Sequence, residues 1–370
     1  MRCSKHPFSL VGVFNWLFSP SRQPTRRAVV QTLLGGVVLP WPPMESSEGM
    51  QSESRLAQPL TLAVAQPHAL VHLPVFLANV LGFFQAEGLD VKLVDHVTEE
   101  KAVQAVLKGA ASVAVCAYSL TFTPQAREVD WQAFLLPLRV PQVVLGTSLK
   151  TMGPYRSPAD LRGRRVGGLA STPPSHLVVR ALLRNARLDP GDVTWVTASG
   201  QDELLSRFRA GELDALSVGE PLATLLEQRG EMRVLADTRS VHGTRELLGG
   251  LVPGSALCAP SAWVAAHAKQ CQALANGVVH ALKWLQTAGP ADLIKALPDA
   301  TLGADRALFL AAFEKTRGGF SADGLFSADA VHAAWAVHKR LNALSPETAF
   351  SLDRTHTNQF ALKAKARFRA

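Results

Sequence analysis

The sequence of 370 residues lacks the motifs that mark common enzymes and nucleotide-binding proteins. It contains no Gly-x-Ser-x-Gly, no His-Glu-x-x-His, no phosphate-binding loop and no Gly-x-Gly-x-x-Gly, which are signatures of serine hydrolases, zinc proteases and nucleotide binders. No group of histidines and acids has the spacing of a metal site. These absences predict that the protein is not an enzyme and that it uses no cofactor and no metal.

Cysteine is scarce, and the four residues present show neither zinc-ligand spacing nor a Cys-x-x-Cys redox motif. Cys116 and Cys258 lie in apolar, strand-like runs, which predicts that both are buried as small apolar side chains. A disulfide between Cys258 and Cys271 is an open alternative for an exported protein, because oxidising compartments preserve such bonds.

Charged residues are few, at 18% of the chain, and the net charge is +8. Part of the positive excess lies in the first 55 residues, and more lies at Lys363, Lys365, Arg367 and Arg369. A nucleic-acid-binding face needs a basic stripe with interleaved aromatic side chains, and the sequence has none. We therefore expect no nucleic acid as a partner, and we expect residues 346–370 to form a solvated, frayed basic tail.

The first 58 residues are expected to be a targeting segment followed by a loose linker. Arg26 and Arg27 precede an apolar run at 28–39 that is short for a membrane span. A paired arginine before a short apolar region is typical of a twin-arginine (Tat) signal peptide, which predicts export to the periplasm. A disordered leader, a retained anchor and an internal start are alternatives left open. No later segment approaches the apolar length that a membrane span requires.

From residue 60 onwards, strand-like and helix-like patterns alternate, which is typical of a mostly parallel sheet covered by helices. The order strand, helix, strand, helix, strand occurs twice. The first copy has predicted strands at 60–65, 90–95 and 113–116 and helices at 73–86 and 101–107; the second has strands at 165–169, 193–196 and 213–218 and helices at 175–185 and 203–209.

The two copies also correspond residue by residue. The run from Gly109 to Tyr118 matches the run from Gly211 to Glu220 at a constant offset of 102, and His72 matches His176 at an offset of 104. Two copies are too few for a solenoid. The sequence therefore predicts two α/β lobes of like construction.

Ligands of open α/β sheets bind outside the carboxyl ends of the strands, so the loops after the first and third strands of each copy should meet in one cleft. Helices begin just after these loops, and their free N–H groups would point into the cleft. The candidate ligand contacts in these loops are Gln66, His68, His72, Tyr118, Ser119, Ser171, Thr172, Ser175, His176 and Glu220.

Each candidate also has a purely structural interpretation. Tyr118 either stacks on a ligand or is a core aromatic residue. Glu220 either accepts a hydrogen bond from a ligand N–H or is an ordinary acid at a helix N-terminus. One hydroxyl among Ser171, Thr172 and Ser175 is expected to cap the following helix. The histidines equally fit packing at helix starts.

Several runs of this sequence resemble the nitrate/sulfonate/taurine-type solute-binding family of ABC importers. The resemblance covers roughly residues 60–345, and it is the order and spacing of the runs together that make it specific. The runs are 160–167 (DLRGRRVG), 210–215 (AGELDA) leading to Glu220-Pro221, 234–239 (VLADTR), 84–91 (FQAEGLDV) and 282–285 (LKWL).

The resemblance implies an α/β, two-lobed type II periplasmic binding fold with a hinge between the lobes. Gly146, Gly249 and Gly250 fall near the expected crossings between lobes and are the predicted hinge, because glycine absorbs backbone rotation. The mapped boundaries are 1–58 for the leader and linker, 59–145 plus 250–345 for lobe 1, 146–249 for lobe 2 and 346–370 for the tail.

The sequence departs from the family at Ala111-Ser112, where the family has Ala-Asp, although the second lobe keeps Asp214. It also lacks the polar residues that some members carry after Tyr118. The ligand therefore stays open even if the family is right.

The function implied by the resemblance is that of an exported, monomeric solute-binding protein that works with an ABC permease and ATPase at the inner membrane. The expected ligand is a small sulfonate, nitrate, a thiamine-pyrimidine precursor or a similar molecule. Because Glu220 would repel a bare anion, an organic heterocycle or organic acid is favoured. The alternatives are a sensor without a permease and a thiamine-pyrimidine biosynthesis enzyme of related fold, which would need a cysteine-rich iron-binding motif that this chain lacks.

Overall fold

The computed structural model describes residues 59–123, 128–169, 173–342 and 351–370. The predictions for the leader at 1–58 and for Ser171 and Thr172 lie outside the described residues. Within the described part, no helix has the length and apolar character needed to cross a membrane.

Ten strands and fourteen α-helices are assigned in the described residues. The strands are β1 (Leu60–Ala65), β2 (Val91–His96), β3 (Val113–Ala117), β4 (Trp131–Leu135), β5 (Val144–Ser148), β6 (Arg165–Leu169), β7 (Thr194–Ala198), β8 (Ala215–Val218), β9 (Met232–Asp237) and β10 (Ser255–Pro260). The helices are α1 (Leu73–Val80), α2 (Phe83–Ala86), α3 (Glu99–Leu107), α4 (Pro173–Asn185), α5 (Gln201–Ala210), α6 (Leu222–Gln228), α7 (Val241–Leu248), α8 (Ser261–Ala266), α9 (Ala268–Thr287), α10 (Pro290–Ala296), α11 (Asp299–Leu302), α12 (Arg306–Thr316), α13 (Ala328–Asn342) and α14 (Gln359–Phe368).

The strands form two five-stranded sheets with the same internal order. Lobe 1 has the order β2-β1-β3-β10-β4, and lobe 2 has the order β7-β6-β8-β5-β9. In each sheet the first three strands run parallel, and the fourth strand in the order (β10 or β5) runs antiparallel to both its neighbours. This arrangement confirms the predicted two-lobed α/β class.

Equivalent glycines end equivalent helices in the two lobes. Gly109 follows α3 with φ of 73°, and Gly211 follows α5 with φ of 85°, a left-handed conformation that residues with a Cβ adopt at a cost. After each glycine the chain enters the middle strand of its five-stranded sheet, β3 or β8. The matched run at offset 102 therefore reflects a repeated helix–turn–strand unit. The predicted helix 73–86 differs from the structure, because Gly82, with φ of 73°, separates α1 from α2.

The second lobe holds its repeated unit more tightly than the first. Both carboxylate oxygens of Asp214 accept hydrogen bonds from the Arg165 guanidinium, and Oδ2 also accepts from the Arg165 backbone N–H at 2.9 Å. Burial pushes the pKa of Asp214 upwards, but the Arg165 hydrogen bonds outweigh it and hold that pKa below its usual range. In lobe 1, Ser112 stands at the equivalent position. Its backbone N–H donates to the Thr61 carbonyl at 2.9 Å, and its side chain has no hydrogen-bond partner among the described residues.

The chain crosses between the lobes at 136–143 and at 249–254. The crossings are joined to each other, since the Gly254 N–H donates to the Leu138 carbonyl at 2.9 Å. The first crossing is also fixed to lobe 2, because Thr238 Oγ1 accepts from the Val143 N–H at 3.0 Å and donates to its carbonyl at 2.8 Å.

The predicted hinge glycines are placed differently from expectation. Gly146 lies inside β5, where a Cβ would come within 2.5 Å of the Met232 side chain, so close packing accounts for this glycine and its role in a hinge stays a prediction. Gly249 ends α7 with φ of 79°, and Gly250 abuts Ala333 of α13; both lie where the second crossing begins. Strand β5 starts at Val144, two residues before the predicted lobe boundary. Hinge motion itself stays a prediction.

Part of the predicted tail is folded, since residues 359–368 form a helix. Helix α14 packs on α9 and β4, with Phe360, Ala361 and Ala364 buried. Two of the four basic side chains are paired, since Lys365 lies 2.8 Å from Asp323 and Arg367 lies 2.8 Å from Glu87. The prediction of a frayed tail was therefore wrong for 359–368, because a buried apolar face holds the helix to lobe 1 and leaves its charges at the rim.

The three cysteines of the described residues are buried and unpaired. Cys116 and Cys258 lie in neighbouring strands of lobe 1, as predicted for small apolar side chains. The disulfide between Cys258 and Cys271 is not formed; the Cys271 thiol instead faces the Val264 carbonyl at 3.9 Å.

Candidate ligand-binding cleft

Loops from both sheets meet at a cavity of about 70 Å³, here called the inner cavity. Its wall receives residues from the carboxyl ends of β1, β3, β6 and β8 and from both crossings between the lobes. The polar residues on this wall are Gln66, His72, Glu99, Gln142, Ser175, Gln201, Ser217, Glu220 and Ser255. The structure thus brings the four predicted loops to one place.

A wider space of about 440 Å³ lies beside the inner cavity, here called the outer cavity. It is bounded by His68, by Pro221, by Thr301 of α11 and by Asp305 in the turn that follows α11. The two cavities share Gln66, Ala69, Gln201 and Glu220 in their walls. A ligand with a small inner end and a larger body fits this two-part shape.

His72 lies in the wall of the inner cavity and is buried. Burial lowers its pKa to about 4, and a hydrogen bond to the Ala65 carbonyl offsets part of that effect. Its Nδ1 atom lies 3.3 Å from the Ser255 hydroxyl. At neutral pH the ring is therefore an uncharged hydrogen-bonding group.

Glu220 also borders both cavities, but its carboxylate is engaged inside the protein. Oε2 accepts from the Thr224 N–H at 3.0 Å, and Oε1 accepts from the Thr224 hydroxyl at 2.8 Å and from Arg239 Nη1 at 2.6 Å. Each oxygen therefore already has a donor from the protein, and ligand contact by Glu220 stays a prediction.

Arg239 is the centre of a buried ion network around Glu220. Its guanidinium also lies 2.5 Å from Asp237 and 2.8 Å from Glu227. Lys315 of α12 in turn lies 2.8 Å from Glu227, so the network connects lobe 2 with a C-terminal helix. Burial opposes the charge on Arg239, but hydrogen bonds to Asp237 and Glu220 prevail and raise its pKa above the ordinary value.

Glu99, the first residue of α3, is a cavity residue that sequence reasoning missed. Its side chain is buried, and Oε2 accepts from the Ala117 N–H at 2.9 Å at the end of β3. Burial raises the pKa of Glu99 to about 7; the Ala117 hydrogen bond works against this and the nearby Glu100 charge adds to it. An acid at a helix start is usually solvated, so its position alone does not indicate a cavity residue. The sequence repeat is the one feature that could have indicated it, because at offset 102 Glu99 matches Gln201, which lies in the same cavity wall.

Two glutamines stand where the inner cavity opens into the outer one. Gln66 follows β1 with a φ of 56°, and its N–H donates to Asp95 Oδ1 at 2.9 Å. Gln201 begins α5 in lobe 2. Within the described residues neither side-chain amide has a protein hydrogen-bond partner, so each lobe offers one amide to a ligand.

Ser175 lies in the inner wall, where its carbonyl accepts from the Ser217 hydroxyl at 3.0 Å. Of the two cavities, His68 borders the outer one; its Nδ1 lies 2.9 Å from Thr301 Oγ1. Ligand contact by Gln66, His72, Ser175 and His68 stays a prediction, now with a defined location.

Three predicted contacts lie elsewhere. Tyr118 is fully buried, its hydroxyl 2.6 Å from Thr355 Oγ1 and its ring against Phe122 and Phe326. Ser119, in the turn that begins at Tyr118, borders neither cavity. The His176 ring packs against Trp195 in a tilted arrangement with ring centres 4.1 Å apart, and burial together with Arg180 lowers its pKa. For Tyr118 and His176, packing is therefore the correct interpretation.

The charge of the inner cavity follows from these contacts. Among the described residues in its wall, the ionisable side chains are His72, Glu99 and Glu220, and none is lysine or arginine. Glu220 is compensated by Arg239, and His72 is neutral near pH 7. No group of three or more potential ligands that could hold a metal ion occurs in the described part of the chain.

Comparison with known proteins supports the same architecture. The model of the family described as NMT1/THI5 like matches residues 69–244. A protein of solved structure from Bordetella bronchiseptica RB50 is 33% identical over 84% of this chain and 98% of its own, with a TM-score of 0.77. The chain belongs to the NMT1/THI5-like family. No curated protein matches it.

Two more distant structures share the fold of this NMT1/THI5-like chain. The alkanesulfonate-binding protein SsuA from Xanthomonas axonopodis pv. citri, bound to MOPS, is 18% identical over 80% of this chain and 98% of its own, with a TM-score of 0.62. The periplasmic nitrate-binding protein NrtA from Synechocystis PCC 6803 is 14% identical over 83% of this chain and 88% of its own, with a TM-score of 0.61. Both agree with the two-lobed α/β fold predicted from the sequence.

Proposed function

We propose that this chain binds a small solute between its two lobes and delivers it to an ABC importer. The observation that carries the proposal is the inner cavity, which is built from the carboxyl ends of strands in both sheets and has a few convergent polar groups. The fold similarity to SsuA and NrtA, which bind alkanesulfonate and nitrate, supports it.

The partners and location follow from the same proposal. A binding protein of an importer works outside the cytoplasmic membrane with a permease and an ATPase, so we propose a periplasmic monomer. The paired arginine at Arg26-Arg27 supports export through the twin-arginine route. Closure of the lobes on the solute would be the signal that the permease reads, because a ligand favours the state it binds more tightly.

The ligand we favour is a small organic molecule rather than a bare anion. Our reason differs from the one that the sequence suggested. Glu220 does not repel anions by itself, since Arg239 compensates it; what disfavours an anion is that the described cavity wall has no lysine or arginine and contains Glu99. Sulfonates and nitrate are the competing candidates.

Thermal unfolding of the purified protein with a ligand panel tests solute binding. The panel contains nitrate, bicarbonate, taurine, alkanesulfonates, aromatic acids and pyrimidines. A ligand at about a hundredfold excess over its dissociation constant should stabilise the fold by about 2.7 kcal/mol. The effect should be lost in Gln201→Ala, which alters the cavity, and kept in His242→Gln, which changes an exposed side chain. A panel without any stabilising compound would contradict the proposal.

An enzyme is the second candidate, because the desulfurization enzyme DSZB shares the fold at 18% identity and a TM-score of 0.57. We nevertheless expect no turnover, since the sequence lacks the motifs of common enzymes. Mass spectrometry of a stabilising compound after prolonged incubation with the protein checks this. A new product that requires the protein and is lost in a cavity variant would establish catalysis instead.

A further inference from the structure

The inner cavity holds one carboxyl group that the protein leaves half used. Glu99 Oε2 is fixed by the Ala117 N–H, whereas Oε1 has no hydrogen-bond partner among the described residues. Oε1 is not among the polar atoms of the described residues that are sealed from solvent without a partner. Because Glu99 lies in the wall of the inner cavity, a molecule bound there can donate a hydrogen bond to Oε1.

The surroundings of Glu99 determine what such a molecule offers. His72 in the same wall is neutral near pH 7, and the Glu220 charge is met by Arg239. No lysine or arginine in the described wall compensates Glu99. A carboxylate or sulfonate placed here would face a like charge without a cation, whereas an N–H group would complete the hydrogen bonding of Oε1.

We infer that Glu99 determines ligand specificity, accepting a hydrogen bond at Oε1 from an N–H group at the inner end of the solute, as in an amide, an amidine or an amino-heterocycle. The inference rests on the proposed solute-binding function and names its ligand class. Carboxylates and sulfonates of the same shape are rejected. The rest of the solute extends into the outer cavity between Gln66 and Gln201, one from each lobe.

Gln201 supplies the complementary half of this recognition. It stands at the position in lobe 2 that matches Glu99 in lobe 1, at the start of the equivalent helix. An amide side chain both donates and accepts, so Gln201 can bond to a carbonyl or ring nitrogen beside the N–H group. The two lobes thus contribute one acid and one amide at equivalent positions.

The ionisation of Glu99 predicts that affinity depends on pH in opposite directions for N–H donors and for anions. Burial raises its pKa to about 7. The ionisable groups near it are Glu100 on the same helix, Cys116 on β3, and His72 and Glu220 in the cavity wall. The hydrogen bond to Cys258 and burial both raise the pKa of Cys116, so this thiol is uncharged. An N–H donor binds the ionised carboxylate better, so its affinity should rise with pH by up to about tenfold between about pH 6 and about pH 8. An anion would need the protonated form and show the opposite slope.

Calorimetric titration of the full chain with matched probes tests the inference. Benzamide and benzamidine carry N–H groups, while benzoate and benzenesulfonate are anions on the same ring. We expect the wild-type protein to bind the N–H probes more tightly at about pH 8 than at about pH 6. Glu99→Gln should weaken their binding at least about tenfold, because the glutamine NH₂ group would face the N–H group of the probe and two donors cannot bond to each other. The variant should also lose the pH dependence of binding. Glu100→Gln, an exposed neighbour on the same helix, should stay within about twofold of wild type.

Glutamine keeps the shape of the side chain and still accepts from the Ala117 N–H, so the variant is expected to fold. An unchanged circular dichroism spectrum checks this. Binding of benzoate or benzenesulfonate in preference to the N–H probes, or a Glu99→Gln variant that binds the N–H probes like wild type, would overturn the inference and leave solute binding intact. Failure of both probe classes, with no stabilising compound in the larger panel either, would overturn the inference and the proposed function together.

Discussion

Tyr118 and Glu220 follow the central parallel strands of the two sheets at equivalent positions, yet their side chains are held by different chemistry. In lobe 1 the Tyr118 ring packs between Phe122 and Phe326, and its hydroxyl meets Thr355. In lobe 2 the Glu220 carboxylate meets Thr224 and Arg239. The repeated topology brings both loops to the cleft. What each side chain does there depends on the segment that covers it, and those segments are not repeated.

The largest expected effect comes from removing the cation of lobe 2. Arg239→Met leaves Glu220 and its acidic neighbours without compensation, and the Arg239 side chain is only 6% exposed. Breaking a buried ion pair on one side costs about 3–5 kcal/mol. Chemical denaturation should show a loss of that size in the free energy of unfolding.

Arg162→Ala is the matched control, because that side chain is 66% exposed in its pair with Asp192 and exposed pairs contribute under about 1 kcal/mol. Equal losses in the two variants would show that the Glu220 carboxylate does not depend on Arg239.

A second, smaller effect concerns the wall of lobe 1, where His72 and Glu99 titrate in opposite directions. The folded pKa of His72 is about 4, below the unfolded value, so the unfolded state takes up the proton first and stability falls as pH drops below about 6.5. The folded pKa of Glu99 is about 7, above the unfolded value, so stability rises as pH falls from about 7 towards 4.5. Between pH 7 and pH 5 each contributes about 2 kcal/mol, and the two contributions cancel.

Single variants separate these contributions. Relative to wild type, His72→Gln should gain about 2 kcal/mol on going from pH 7 to pH 5, and Glu99→Gln should lose about the same. Denaturation curves at the two pH values measure both. His242→Gln, an exposed histidine, should follow wild type; variants at His72 and Glu99 that also follow wild type would show that the cavity wall does not titrate as described.

The smallest effect is expected at Tyr118. Tyr118→Phe removes the hydroxyl that meets Thr355 and keeps the ring, so unfolding should become about 1 kcal/mol easier. Ligand affinity should not change, because Tyr118 borders neither cavity. Thr355→Val should give a similar loss, and the double variant should lose less than the sum. Weakened ligand binding by the Tyr118→Phe variant would show instead that Tyr118 takes part in ligand binding.

Local patterns in the sequence predicted the parallel half of each sheet. Strands β1 and β6 begin and end at the predicted residues, and the Gly109 and Gly211 turns revealed the repeat. The antiparallel strands were not predicted, because β10 pairs with β3 only after the whole of lobe 2 has intervened. Periodicity does not report such distant partners.

The candidate site was predicted in its location but not in its chemistry. Gln66, His72, Ser175 and Glu220 do border the inner cavity. Tyr118 was misplaced because the residue that takes its hydroxyl, Thr355, is 237 positions away. Glu99 was missed because a carboxylate at a helix start is normally solvated. Here the side chain is buried because the fold brings α3 against the end of β3.

Helix α14 follows lobe 2 along the chain, so lobe 2 is synthesised before lobe 1 can be completed. Lobe 2 is continuous between β5 and α7, so its sheet can close as soon as that stretch has left the ribosome. Lobe 1 must wait, because Phe360 packs on Phe134 of β4 and the Thr357 N–H bonds to Ala133 in the same strand. Such distant contacts slow folding. Lobe 1 is thus begun before lobe 2 and completed after it, and the apolar surface of β4 that Phe360 covers stays exposed until α14 has been made.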